Sequence, residues 1–266
     1  MCCLFFVYFL IFIPVSICDF PFNIAMISIN RKNNYIYETI NSLFSSTKNI
    51  FQVHIFIGNL DLNYVKKLQE NKRIIIHPMN LSTWNMIKKK NIHVQSMTNY
   101  VRTILWGHRK NKDILILEDD IIFKKEGLEY MQKIIDKIIQ NQMKKKVFAL
   151  DGYVSSLSIT KDIGNEYIDE RNKNYWCIQS IYYSKNVLNG LFSHLSNYTR
   201  NGWFPKLFIT DNVIGQYLKA NNIPMFSLKN TIVQHIGHIT TGLQDRNLQH
   251  QHYSKRWNNN PFKFPE

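Results

Sequence analysis

"DILILEDDIIF", residues 113–123, decides the fold and opens the question of function. Ile114, Leu115, Ile116 and Leu117 form an apolar run that reads as a buried strand. It ends on three adjacent acids, Glu118, Asp119 and Asp120, which repel one another unless something compensates them. A solvated strand end that caps the next helix is the plain explanation. A divalent cation with an anionic ligand is the sharper one.

Patterns on either side place this strand in an alternating series. "FNIAMISIN" (22–30), "QVHIFIG" (52–58) and "RIIIHP" (73–78) read as strands. Helical stretches separate them, with Ile36, Ile40, Leu43 and Phe44 on one face and Leu62, Val65 and Leu68 on another. A longer helix around 95–109 groups Met97, Val101 and Leu105, and the helix after the acids groups Leu128, Met131, Ile135 and Ile138. Further on, 146–153 reads as a strand, 175–188 as part of the sheet, and a helix begins at Thr210-Asp211 and stops before Pro224. The series predicts one α/β domain over residues 20–266, with a mixed, mostly parallel central sheet flanked by helices.

Composition narrows the classes. The 266 residues are 45% hydrophobic, enough for a sizeable core. A net charge of +14 invites a nucleic-acid partner, but the lysines are scattered in short runs such as 88–90 and 144–146. No basic helix, zinc finger or RNP-type motif accompanies them, so no nucleic acid is expected. Residues 1–18 carry no charge and fit a signal peptide or a short membrane anchor, although a positive n-region is missing. A buried N-terminal element is the alternative. Secretory entry would place the chain in the Golgi or endoplasmic reticulum lumen, and sequons at Asn80 and Asn197 are compatible with it. Cleavage near Cys18 would leave Cys177 alone, so no intramolecular disulfide is expected.

In a parallel sheet ligands bind at the carboxyl ends of the strands. Glu118, Asp119 and Asp120 fall there, and so does Asn30-Arg31 after the first strand. Acids for a cation and a guanidinium that can fork onto a phosphate suit a nucleotide diphosphate. Hard oxygen ligands suit Mg²⁺ or Mn²⁺, and an imidazole from His235 or His238 would favour Mn²⁺. Each histidine could equally be an ordinary satisfied polar residue. His250 and His252 lack a partner set of zinc spacing, and there is no CxxC. Asp211 is a candidate general base, with a simple helix cap as its alternative and Asp151 as its rival. No GxSxG elbow, P-loop or Rossmann glycine fingerprint occurs.

Four blocks, in order, carry a family resemblance: "ISINRKNNYIYETINSLFSS", "VHIFIGNLDLNYVKKL", "LILEDDIIF" and "IVQHIGHITTG". Together they resemble GT-A fold glycosyltransferases, and more narrowly the N-acetylglucosaminyltransferase IV family, which branches N-glycans on α-1,3-mannose. The similarity runs from about residue 22 to 245 and is thin between 145 and 205; no counterpart of the family's lectin-like C-terminal domain is expected within these 266 residues. The resemblance implies transfer of GlcNAc from UDP-GlcNAc to a glycan hydroxyl, with inversion; the alternatives are transfer of another sugar to a protein or lipid acceptor, or an inactive glycan-binding protein of the same fold. By the same resemblance Asp120 would bind the metal, Glu118 and Asp119 would contact nucleotide, ribose or water, and Arg31 would lie near uracil or phosphate. Asp211 would be the base and His235 would lie at the metal or pyrophosphate edge. Trp176 and Trp203 could stack on sugar rings, although core packing explains them as well.

Overall fold

The computed structural model describes residues 20–28, 35–49, 51–58, 63–89, 92–142, 146–153, 167–169, 179–200 and 210–236. The chain begins with β1 (Asn23–Ile27), α1 (Ile36–Ser45), β2 (Val53–Ile57), α2 (Asn63–Gln69) and β3 (Ile74–Pro78). It continues through α3 (Leu81–Ile87), α4 (Ile92–Lys110), β4 (Ile114–Glu118), β5 (Ile121–Phe123) and α5 (Gly127–Gln142). The second half contributes β6 (Ala149–Asp151), β7 (Tyr167–Asp169), β8 (Ser180–Tyr183), α6 (Lys185–Arg200), α7 (Thr210–Ala220), β9 (Met225–Leu228) and β10 (Val233–His235).

Among the described residues eight strands form one sheet in the order β3-β2-β1-β4-β8-β6-β9-β7, and β10 pairs with β5 in a second. The β3-β2-β1-β4 half is parallel throughout, whereas β8 and β7 run antiparallel to their neighbours. The sheet is therefore mixed and mostly parallel, as the alternating pattern predicts. β4 lies inside it, paired to β1 and β8, which explains its unbroken apolar run: a strand covered on both faces has no solvent side. Successive side chains point to opposite faces. Leu115 and Leu117 join the core beneath α1, α2 and α5, while Ile114 and Ile116 join the one beneath α4, α6 and α7. Each of these four is fully buried, which stabilises the fold by about 2 kcal/mol apiece before chain entropy is set against it.

Three local differences from the sequence reading have physical causes. The buried face of α4 is Met97, Tyr100 and Ile104; Val101 and Leu105 are half-buried on its flank. The stretch 175–188 is not all sheet, because β8 stops at Tyr183 and α6 starts at Lys185. Ser184 makes that switch: its carbonyl accepts from Val187 N at 3.0 Å, and its Oγ accepts from Phe148 N at 3.2 Å. Finally α3 follows β3 directly, because Asn80 Oδ1 accepts from Thr83 N at 2.8 Å and caps it. Among the described residues no helix is long and apolar enough to cross a membrane; residues 1–18 lie outside them.

Candidate active site

The parallel register places Glu118 opposite Ile27, so the acids follow β4 where Ser28 follows β1. Glu118 stays partly exposed, whereas Asp119 and Asp120 are each 2% exposed. Burying two adjacent carboxylates is costly unless donors meet them. Ser28 Oγ donates to Asp119 Oδ2 at 2.6 Å. Thr39 Oγ1, on α1, donates to the Asp119 carbonyl at 2.9 Å and accepts from Ile121 N at 3.1 Å. That hydroxyl locks the turn between β4 and β5.

Asp120 is held from the other end of the chain. β10 runs antiparallel to β5 with His235 opposite Ile121, and Ile236 N donates to the Asp120 carbonyl at 2.9 Å. His235 Nε2 then lies 3.0 Å from Asp120 Oδ2, although the two residues are 115 positions apart. A carboxylate oxygen and an imidazole nitrogen converging in this way are a mixed donor pair that suits Mn²⁺. Among the described residues no third His, Cys, Asp or Glu completes a metal cluster.

Asp211 sits half-buried in the first turn of α7, where the helix dipole favours a negative charge. Its neighbourhood is reported by Tyr100, fully buried on α4, whose hydroxyl lies 2.8 Å from that of Tyr183. Burial first, then Tyr183, then the charges of Asp211 and Glu118 push the Tyr100 phenol well above its usual pKa. One phenol thus feels both carboxylates. α6 and α7 pack closely: a Cβ at Gly190 would collide with Tyr217 Oη. Asp151, the rival base, is buried with its Oδ1 accepting from Tyr153 N at 2.8 Å, as in a local turn.

Sequence reading missed a guanidinium beneath the site. Arg102 donates to the carbonyls of Ile57, His77 and Pro78 and to Asn99 Oδ1, tying the ends of β2 and β3 to α4. Asn99 Nδ2 donates in turn to the Ser28 carbonyl at 3.1 Å, next to the hydroxyl that holds Asp119. Burial lowers the Arg102 pKa to about 10, which leaves it charged at neutral pH. A charged residue on a helix gives no sequence signal of such burial. Ser28 and Thr39 gave none either.

Asn30, Arg31, His238, Trp176 and Trp203 lie outside the described residues, as do His250 and His252. The structure therefore brings together Glu118, Asp119, Asp120 and His235, while Asp211 is linked to them only through the charge it shares with Glu118 at Tyr100. A cavity of about 490 Å³ beside α5 touches none of these and is lined by both signs of charge, so the site rests on side-chain geometry alone.

No family model matches the chain, and no curated protein matches it. Among solved structures it is similar to S. aureus TarS residues 1–349, at 14% identity and a TM-score of 0.45, over 79% of this chain and 59% of that one. The same TarS fragment in complex with UDP-GlcNAc gives 13% identity and a TM-score of 0.45 over 79% and 57%. Galactosyltransferase LgtC with donor and acceptor sugar analogues gives 8% and 0.48 over 74% and 70%. The chain thus spans less than two thirds of the TarS structures it is similar to.

Proposed function

We propose that this chain is a GT-A glycosyltransferase of the N-acetylglucosaminyltransferase IV type. It would move GlcNAc from UDP-GlcNAc to a glycan hydroxyl with inversion, and would enter the secretory pathway through residues 1–18. One observation carries the reading. Asp120 and His235 meet at 3.0 Å just past the carboxyl end of an interior strand, where α/β sheets bind nucleotides.

Asp120 and His235 would hold Mn²⁺. When bound, the metal offsets the charge that grows on the departing diphosphate. The residues of the chain do the rest. Asp119, fixed by Ser28, and Glu118 present acceptors to ribose hydroxyls or ordered water. Asn30 and Arg31, three and four residues beyond β1, would meet uracil or phosphate. Asp211 takes the proton from the attacking hydroxyl as the new C–O bond forms at the anomeric carbon. The bond from that carbon to the phosphate oxygen breaks, and the electron pair leaves with UDP. A base so placed contributes roughly 10²- to 10⁴-fold.

The test is UDP release by the purified full chain from UDP-GlcNAc and UDP-galactose, with and without Mn²⁺, over N-glycan acceptors. Mn²⁺-dependent release favouring UDP-GlcNAc supports the reading. Preference for UDP-galactose would replace the donor. A folded protein that neither binds nor turns over any UDP-sugar would overturn the assignment.

A further inference from the structure

The amino ends of the strands carry a second cluster of unusual chemistry, one five-residue strand length, roughly 17 Å, from the acids. A cavity of about 450 Å³ opens there beside Asn23, Lys72, Arg73 and Lys112, each just before or at the start of a strand. Aromatic rings of Phe20, Phe22 and Phe51 form its apolar wall. Among the described residues that line it, three are cations and none is a carboxylate. His54 also lines it, and burial, then His77, then Lys110 lower its pKa to about 4, so it is neutral at pH 7.

Arg73 is the centre of this group. Its guanidinium stacks 3.7 Å from the Phe44 ring centroid and 5.3 Å from that of Phe51. Although the side chain as a whole is only half-buried, its Nε and Nη2 are shielded from solvent and meet no acceptor. Asn23 Nδ2 is in the same state. Buried donors without acceptors cost free energy, and a guanidinium fixed by stacking can fork onto an oxyanion once the contacts that cover its Nε and Nη2 give way. Lys72 and Lys112 are exposed and can swing onto the same anion.

We infer that this cavity is a binding site for a phosphate group carried on an apolar body. A phospholipid headgroup and a soluble phosphate share that chemistry; the aromatic wall favours the lipid. Chain length agrees. The uncharged stretch 1–18 ends two residues before Phe20, at most ~7 Å of extended chain away, so any bilayer that takes up the stretch lies against this face. The inference is independent of the transfer reaction proposed above.

The experiment titrates the full chain with dihexanoyl phosphatidic acid, below its micellar concentration, and separately with inorganic phosphate, followed by calorimetry. Saturable, salt-sensitive binding of the phosphatidic acid is expected, weakened about tenfold or more in the Lys72→Gln/Lys112→Gln double variant with an unchanged melting temperature. Arg73→Lys keeps the charge but loses the fork, and weakens binding as well. Inorganic phosphate binding as tightly would keep the oxyanion site and assign it to soluble phosphates. Absence of saturation by either ligand, or equal binding by the double variant, would overturn the inference.

Discussion

Strand β4 carries a buried aspartate before its first residue and two after its last, and they are satisfied differently. Asp113 accepts from Tyr182 Oη at 2.6 Å and from Lys185 N at 2.9 Å, and pairs with Lys146 Nζ. Burial, then the Asp113 charge, raises the Tyr182 phenol far above its usual pKa, so it stays a donor. Asp119 is met by a serine hydroxyl and Asp120 by an imidazole. The first arrangement is a permanent cation with two fixed donors that ties β8 and α6 to the sheet. In the second, an imidazole that can ligate a metal faces a carboxylate that can do the same. Burial of acids alone does not mark a site; the chemistry of their partners does.

Separating the two ends experimentally gives a graded series. The largest effect is expected from Asp211→Asn, which should lower kcat by roughly 10²- to 10⁴-fold while UDP-sugar binding stays within twofold, a split read from initial rates and calorimetry. An equal loss of donor binding would move Asp211 from base to binder. Next, Asp113→Ala should cost about 1–3 kcal/mol in urea unfolding, because it leaves the buried Tyr182 hydroxyl without its acceptor, while the partly exposed Lys146 turns to water. Activity per folded molecule should survive, and a catalytic loss without unfolding would erase the contrast between the two ends.

A smaller effect is expected from Ser28→Ala. It removes the hydroxyl from Asp119 and should weaken Mn²⁺-dependent UDP binding about three- to tenfold, with a stability loss of about 1 kcal/mol. Ser28→Thr should restore both. The smallest effect tests a third kind of buried group, the histidine pair at His54 and His77, 2.9 Å apart. Burial, then the neighbouring His77, then Lys110 depress the His54 pKa to about 4. His77 is lowered as well, by burial, Arg102 and Lys110. The fold therefore favours the neutral rings, and their contribution is complete above pH ~6.5. The unfolded chain takes up protons more readily as pH falls from about 6.5 towards 4, so stability should drop across that window. The loss should stay below ~1 kcal/mol after solvent screening. Urea midpoints at pH 7 and pH 5 measure it, and His54→Gln should flatten the difference.

The same contrast explains what the sequence reveals. Apolar runs such as Ile114–Leu117 and the period of Ile36, Ile40 and Leu43 show the parallel half clearly, since each element there has its own pattern and its own breaks. The second half is harder to read because β8 and α6 share one apolar run, with only Ser184 between Tyr183 and Lys185 to mark the change. Asp120 and His235 could be nominated from residue type and strand position. Their partners could not: Ser28, Thr39 and Arg102 look like ordinary loop and helix residues until long-range packing sets them against the acids. Asp113 stands in the same quoted stretch as Asp120, and nothing local distinguishes the structural aspartate from the candidate ligand.

The most direct test of the central claim is the Mn²⁺ dependence of UDP binding in wild type, Asp120→Ala and His235→Ala, measured by calorimetry on protein of verified fold. The account predicts that wild type binds UDP far more tightly with Mn²⁺, and that each variant loses this gain and keeps only weak, metal-independent binding. Undiminished Mn²⁺-dependent binding in Asp120→Ala would contradict it, and the Asp120–His235 pair would then be structural like Asp113.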